Sequence, residues 1–185
     1  MGIQVEYFVK ALSENPNERQ RQALAHAIVS NEIKLADLIP VLYYPHPISM
    51  RLAWVLGNVC VLQPEIISPF LTQLFQQRTA IKVIHFNRSL AKFFLHCGIP
   101  EEMEGEVLNE LFIWLNGNTE DISTKSITLK VLMKCVEKYP ALQFELISNL
   151  ERYLTLQPNN SFSKQALIAI QHLKQMEMNS SNFNK

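Results

Sequence analysis

The chain has 185 residues, 48% of them apolar, and its 17 basic side chains balance 17 acidic ones, so the formal net charge is zero. This length fits one domain that buries most of its apolar surface. A neutral chain without a basic stripe lacks the electrostatic footprint of a nucleic-acid-binding protein, so we do not expect nucleic acid as its partner. Three cysteines without a CxxC pair predict neither a zinc site nor a redox pair.

Three features of the sequence indicate the cellular compartment of the protein. Its N-terminus shows no basic region followed by an apolar core, and therefore predicts no signal peptide. The longest nearly continuous apolar stretch, residues 52–62, is too short to span a bilayer. Cysteines placed inside apolar helical patterns fit a reducing compartment. We therefore expect a cytoplasmic protein without a membrane segment.

Apolar residues recur at helical spacing along the chain. The first stripe, in a helix predicted at residues 3–13, consists of Ile3, Tyr7, Phe8, Ala11 and Leu12. Further helices are predicted, in chain order, at about residues 17–30, 32–43, 48–62, 65–78, 81–97, 101–116, 122–138, 141–156 and 161–177. Prolines, glycines and asparagines separate them. The pattern predicts an all-α chain of about ten helices, with a disordered tail at residues 179–185 that is rich in Asn and Ser.

A period of 38 residues relates several of these helices. The apolar set that begins at Leu52 recurs with the same internal spacing from Leu90, Thr128 and Ala166. The chain therefore reads as an N-terminal helix at 3–13, helix pairs at about 17–45, 48–78, 81–117 and 122–157, and a closing helix at 161–177. One helix pair cannot bury its apolar face alone, so neighbouring pairs must stack into one domain, predicted over residues 1–178. The two end helices should bury one face and leave the other polar.

Paired helices with this period resemble HEAT and armadillo-type α-solenoids. The segment from Met50 to Asn58, MRLAWVLGN, is similar to the first-helix motif of small bacterial HEAT-like proteins. This resemblance covers about residues 17–177 and implies a right-handed α-α superhelix. It also implies that the second helix of each pair lines a concave surface. The function expected from it is that of a non-enzymatic scaffold or adaptor that binds a protein partner along that surface.

Two groups of side chains are candidates for the partner contact. Arg51, Trp54 and Asn58 share one helix face, and Trp with Arg is the composition of an interaction hot spot. In the alternative interpretation, Trp54 fills the groove to the next helix and the stem of Arg51 packs over it. The second group lies off the apolar row of the second helices, which the resemblance places on the concave side. Its members are Gln73, Gln77, Asn109, Glu110 and Arg152.

Catalysis has no comparable candidates. The five histidines lack the spacing of a helical metal pair, and no nucleotide-binding or nucleophile-elbow motif occurs. Cys97 and Cys135 occupy one repeat position together with Val59 and Leu173, which indicates that these thiols pack in the core. We therefore expect no catalytic residue, no cofactor, no metal and no enzymatic activity.

The alternative function is that of a DNA-binding repair protein resembling the HEAT-like alkylpurine DNA glycosylases, which hold a duplex in a concave basic channel. Suitable residue types for it are present at Trp54, Trp114, Asp37 and Asp121. The zero net charge and the lack of a Lys and Arg concentration in the second helices oppose this alternative.

Overall fold

The computed structural model describes residues 2–81, 83–117 and 120–182. Within these residues the chain is all-helical, with no β-strand, which confirms the predicted class. The α-helices are α1 (Ile3–Ser13), α2 (Glu18–Val29), α3 (Leu35–Leu38), α4 (Ile48–Leu62), α5 (Leu71–Gln76), α6 (Phe86–Cys97), α7 (Glu104–Asn116), α8 (Ile122–Lys138), α9 (Leu142–Leu156) and α10 (Ser161–Asn182). Four short 3-10 helices lie between them, at Ile39–Tyr43, Pro64–Ile66, Ser68–Phe70 and Glu101–Met103. The predicted bounds of α1, α4 and α8 agree with the structure residue for residue.

Prolines interrupt two of the predicted helices. The helix predicted at 32–43 is divided into the four-residue α3 and a 3-10 helix that contains Pro40. The helix predicted at 65–78 opens with two 3-10 turns, begun by Pro64 and containing Pro69, before α5 starts. Proline has no N–H to donate, and its ring clashes with the carbonyl oxygen four residues earlier. A continuous α-helical hydrogen-bond ladder therefore cannot pass through these positions.

Two further helix ends differ from prediction by five residues each, whereas the remaining differences are three residues or fewer. Helix α6 begins at Phe86 rather than near residue 81, because His85 has a φ of 58° and interrupts the right-handed helix; Lys82 lies outside the described residues. Helix α10 continues to Asn182, through part of the segment predicted to be disordered, and no proline or glycine occurs after Ser161 to end it. Residues 183–185 lie outside the described residues.

The N-terminal helix α1 corrects the expected division of its faces. It buries Val5, Phe8 and Leu12, which follow helical spacing toward the rest of the chain. Ile3 and Tyr7 belong to the predicted apolar stripe but are 87% and 73% exposed. The outer face of α1 is therefore partly apolar, and the prediction of a polar outer face is wrong for this helix.

Contacts group the chain into two compact units, Met1–Val107 and Leu108–Lys185. In the first unit, α4 packs between α2 and α6 and also contacts α1. In the second unit, α10 packs against α8 and α9, and α8 also contacts α9. The residues that begin the four copies of the 38-residue pattern, Leu52, Leu90, Thr128 and Ala166, are all fully buried. The pattern therefore identifies core positions in both units, while the single domain over residues 1–178 stays a prediction.

None of the described helices combines the length and the apolar character that crossing a membrane demands.

Candidate functional site

The Trp54 side chain is half-buried on α4, beside α2. The guanidinium of Arg21 lies over its ring, with Cζ 5.2 Å from the ring centroid. Two further contacts hold this guanidinium in place: Nη2 donates to Oε2 of Glu18 at 2.7 Å, and Nη1 donates to the carbonyl oxygen of Pro16 at 2.9 Å. A cation above an indole ring is attracted by the negative face of the π system. Arg21 therefore covers one side of Trp54 as a fixed group rather than a flexible one.

Asn58 and Lys92 extend this arrangement along α4 to α6. The pKa of the Glu18 carboxyl is lowered mainly by the hydrogen bond from Arg21, and a hydrogen bond from Asn58 acts in the same direction. Lys92 crosses α4 at Gly57, where an added Cβ would come within 3.2 Å of Nζ. Burial lowers the pKa of Lys92, while the negative charge of Glu18 opposes that effect. We call Glu18, Arg21, Trp54, Asn58 and Lys92 the Trp54 cluster.

Sequence reasoning found two of these five residues. It placed Trp54 and Asn58 on one face because both lie on a single helix. The i, i+3 spacing of Glu18 and Arg21 at a helix start was a visible signal of an ion pair, although nothing local tied that pair to Trp54. The position of Lys92 depends on how α6 packs against α4, which a local pattern does not encode.

Arg51 makes contacts of a different kind. Its Nη1 donates to the carbonyl oxygens of Leu12 at 2.8 Å and Ser13 at 3.0 Å. These carbonyls belong to the last turn of α1, where a helix leaves its acceptors without intrahelical partners. Arg51 therefore attaches the end of α1 to α4, and the cation over the indole ring is Arg21. A partner contact through Arg51 stays a prediction.

Gln73 and Gln77 are exposed at the end of α5. The side-chain amide of Gln73 donates to Oε1 of Gln77 at 3.4 Å, and the hydroxyl of Tyr43 donates to the same oxygen. The structure thus joins the two predicted residues with a phenol from the 3-10 helix Ile39–Tyr43. Tyr43, Gln73 and Gln77 therefore form an exposed polar group. They lie on the second elements of the first two predicted helix pairs.

The remaining candidates belong to the second unit. Asn109 is exposed and Glu110 half-buried, both on α7. Arg152 on α9 is exposed, and its Nη2 donates to Oδ1 of Asn149 at 3.1 Å. The same oxygen accepts from the Asn116 side chain at 2.9 Å, so Arg152 is linked to the end of α7.

The residues named for the DNA-repair alternative have varied surroundings. Trp114 is 2% exposed and packs in the second unit. Asp121 caps α8, where its Oδ1 accepts from the backbone N–H of Thr124 at 2.7 Å. Asp37 is exposed on α3 and lines a cleft of about 690 Å³ beside the start of α1. Two of the four residues therefore have packing or capping roles, and DNA repair stays a prediction.

The described residues hold no group of three His, Cys, Asp or Glu side chains placed to bind a metal ion. No protein-family model matches the chain, and no curated protein or solved structure is significantly similar to it. Membership of the HEAT-like family and the right-handed solenoid therefore stay predictions. The side chains of the Trp54 cluster and of the exposed second-helix residues are what indicates a function.

Proposed function

We propose that the protein is a non-enzymatic scaffold or adaptor that binds a protein partner through the surface of its stacked helices. The observation that carries this proposal is the Trp54 cluster, in which α2, α4 and α6 together present an indole, a fixed guanidinium and an ammonium. Trp and Arg dominate the energetics of interfaces, and a guanidinium already held in place loses little freedom on binding. The cluster therefore has the composition and the order of a preformed contact site.

The charges of the cluster indicate the chemistry of the partner segment. Arg21 and Lys92 are cationic and Glu18 is anionic, so two positive charges face one negative charge. The 2.7 Å ion pair with Glu18 satisfies Arg21. Lys92 is held where burial disfavours its charge, so a carboxylate brought close to it would be stabilising. We therefore expect a partner segment with an apolar side chain for Trp54 and an acidic side chain for Lys92.

The predicted concave surface supplies a second place for the same function. Gln73 and Gln77 are exposed, and amide side chains exchange hydrogen bonds with an extended peptide backbone at little desolvation cost. A partner that binds there would still make the protein an adaptor. The two surfaces can be separated by experiment because Asn58 and Gln73 lie on different helices.

A site-specific crosslink tests the proposal. p-Benzoylphenylalanine is placed at position 58, at position 73 or, as a control, at the exposed position 130, and each protein is irradiated in an extract of its own cells. A discrete adduct is expected at position 58 and absent at position 130. An adduct at position 73 alone would move the contact to the concave surface. Absence of an adduct at both 58 and 73 would contradict the adaptor function.

The identified partner then allows a titration by calorimetry. Trp54→Ala should weaken binding by about 30-fold, which corresponds to the roughly 2 kcal/mol of an interface hot spot. The matched control is Tyr7→Ala, which removes an exposed aromatic ring of the same unit outside the Trp54 cluster. It should change the dissociation constant by less than about two-fold. Equal effects of the two substitutions would refute a special role of Trp54, provided that both variants keep the helical circular dichroism of the wild type.

A further inference from the structure

Cys60 and Cys97 meet where α4 packs against α6. Their Sγ atoms are 3.5 Å apart. Cys60 is buried two residues before the end of α4, and Cys97 is the half-buried last residue of α6. A disulfide requires an S–S distance of about 2.05 Å, so the two sulfurs would have to approach by about 1.5 Å. The thiols are already in contact, and only a small movement separates them from a covalent bond.

The position of Cys97 at a helix end permits this movement. The next residue, Gly98, has a φ of 83°, and its surroundings are open, since an added Cβ would meet no heavy atom within 4 Å. Cys97 Sγ lies 3.5 Å from the carbonyl oxygen of Pro64, a weak contact for a thiol. The backbone that follows Cys97 is therefore not covered by a packed side chain at Gly98, so the end of α6 is less confined than its buried turns.

The two thiols also differ in their readiness to ionise. The contact with Cys60 lowers the pKa of Cys97 and the Ser68 hydroxyl acts in the same direction, whereas burial and the charge of Glu65 raise it. The same contact, together with burial, raises the pKa of Cys60. Cys97 is half-buried at a helix end and Cys60 is buried, so an oxidant reaches Cys97 first. Cys97 is therefore the attacking thiol and Cys60 the thiol that closes the disulfide, in line with the two pKa directions.

We propose that Cys60 and Cys97 form a redox-modification site at which hydrogen peroxide produces an intramolecular disulfide between α4 and α6. The Cys97 thiolate attacks one peroxide oxygen, so that an S–O bond forms, the O–O bond breaks, and the departing hydroxide takes up a proton to give water. The Cys60 sulfur then attacks the sulfenic sulfur of Cys97. The S–S bond forms, the S–O bond breaks, and the hydroxyl group leaves as water with the proton of Cys60. In sum, two thiols lose two electrons and one peroxide becomes two waters.

This modification does not depend on the proposed adaptor function. It would nevertheless affect the same helices, because Asn58 precedes Cys60 on α4 by two residues and Lys92 lies on α6. A bond between Cys60 and Cys97 would fix these two members of the Trp54 cluster relative to each other.

Thiol counting and peptide mapping test the proposal on the full chain. The protein has three cysteines, at positions 60, 97 and 135. Treatment with a few equivalents of hydrogen peroxide should lower the thiol count from three to one in the wild type. It should lower the count from two to zero in the control Cys135→Ala and leave it at two in Cys97→Ala. A non-reducing tryptic digest should contain residues 52–78 joined to residues 93–125, with a mass two hydrogens below the sum, and dithiothreitol should separate them.

Three results would overturn the proposal. One is a mixture of isotope-labelled and unlabelled protein that yields linked peptides of mixed origin, since the bond would then join two molecules. Another is a Cys97 that proceeds to sulfinic acid while Cys60 stays a free thiol. The third is a loss of two thiols in Cys97→Ala equal to that in the wild type. Circular dichroism of each variant establishes that the thiols are counted in a folded chain.

Discussion

The substitution Lys125→Met should destabilise the second unit well beyond what its modest change in volume implies. Lys125 lies on α8 and is only 5% exposed. Its Nζ donates to the carbonyl oxygens of Leu115 at 2.7 Å and Gly117 at 2.6 Å, at the end of α7. Methionine has a similar length but no donor, so both carbonyls would lose this partner.

The expected loss follows from two opposing contributions. A hydrogen bond from a charged donor contributes about 1.5–3 kcal/mol, so two of them contribute about 3–6 kcal/mol. Removing a buried ammonium returns part of its desolvation cost, the same cost that lowers the pKa of Lys125. We expect a net decrease of about 2–4 kcal/mol in the free energy of unfolding of this unit. With an m-value of about 2 kcal/mol per molar urea, the midpoint should fall by about 1–2 M.

Fluorescence makes this measurement specific to the second unit. The two tryptophans, Trp54 and Trp114, lie in different units. In a Trp54→Phe background the emission of the buried Trp114 therefore reports on the second unit alone. The control is Lys130→Met, on an exposed position of α8, which should change the free energy of unfolding by less than about 0.5 kcal/mol. Equal midpoints for Lys125→Met and Lys130→Met would refute the reasoning.

Three further predictions concern the first unit. Asn17→Ala removes a capping box with Gln20 at the start of α2 and should cost about 1 kcal/mol in a urea titration followed by Trp54 fluorescence; no shift of the midpoint would contradict it. Arg51→Met removes two hydrogen bonds to the end of α1, so the rate of amide hydrogen exchange in α1 should rise by about ten-fold or more, while the rate in α10 stays unchanged. An equal change of the exchange rate in both helices, or no change in α1, would count against it. The ¹³Cε resonance of Lys92 should titrate at a lower pH in the folded than in the urea-denatured chain, because burial lowers its pKa from 10.5. This group therefore adds stability that is present above pH 10.5 and is lost as the pH falls through its folded pKa; a folded midpoint at or above the denatured one would exclude this.

The helices were predictable because their signal is local. Apolar spacing alone placed both ends of α1, α4 and α8 correctly. Three misplaced ends occur at Pro40, Pro69 and His85, where a single backbone conformation overrides the spacing. A fourth is the end of α10, which continues to Asn182 because no proline or glycine ends it. Even there the pattern identified helical segments, and the error concerned the type of helix or one of its ends.

The candidate site was less predictable, since its members come from three helices. Residues on one helix, such as Trp54 and Asn58, share a face by geometry that a sequence reveals. The contact of Arg21 with Trp54 requires the packing of α2 against α4, and the contact of Lys92 with Gly57 requires that of α6 against α4. Arg51 shows the converse, because a side chain on the predicted face is turned to the end of α1 instead.

The cysteines show why a repeat register predicts burial better than chemistry. In the 38-residue register, Cys97 corresponds to Val59 and to Cys135. Val59 and Cys135 are buried as predicted, whereas Cys97, the last residue of α6, is only half-buried. Cys60 and Cys97 are 37 residues apart, so the pair in contact is offset by one position. That offset depends on the crossing angle and the axial shift of α4 and α6, because these determine which side chains of one helix pack into the grooves of the other. Cys97 and Cys135 therefore share a register position, yet the reactivity proposed for Cys97 comes from its neighbour Cys60 and from its place at a helix end.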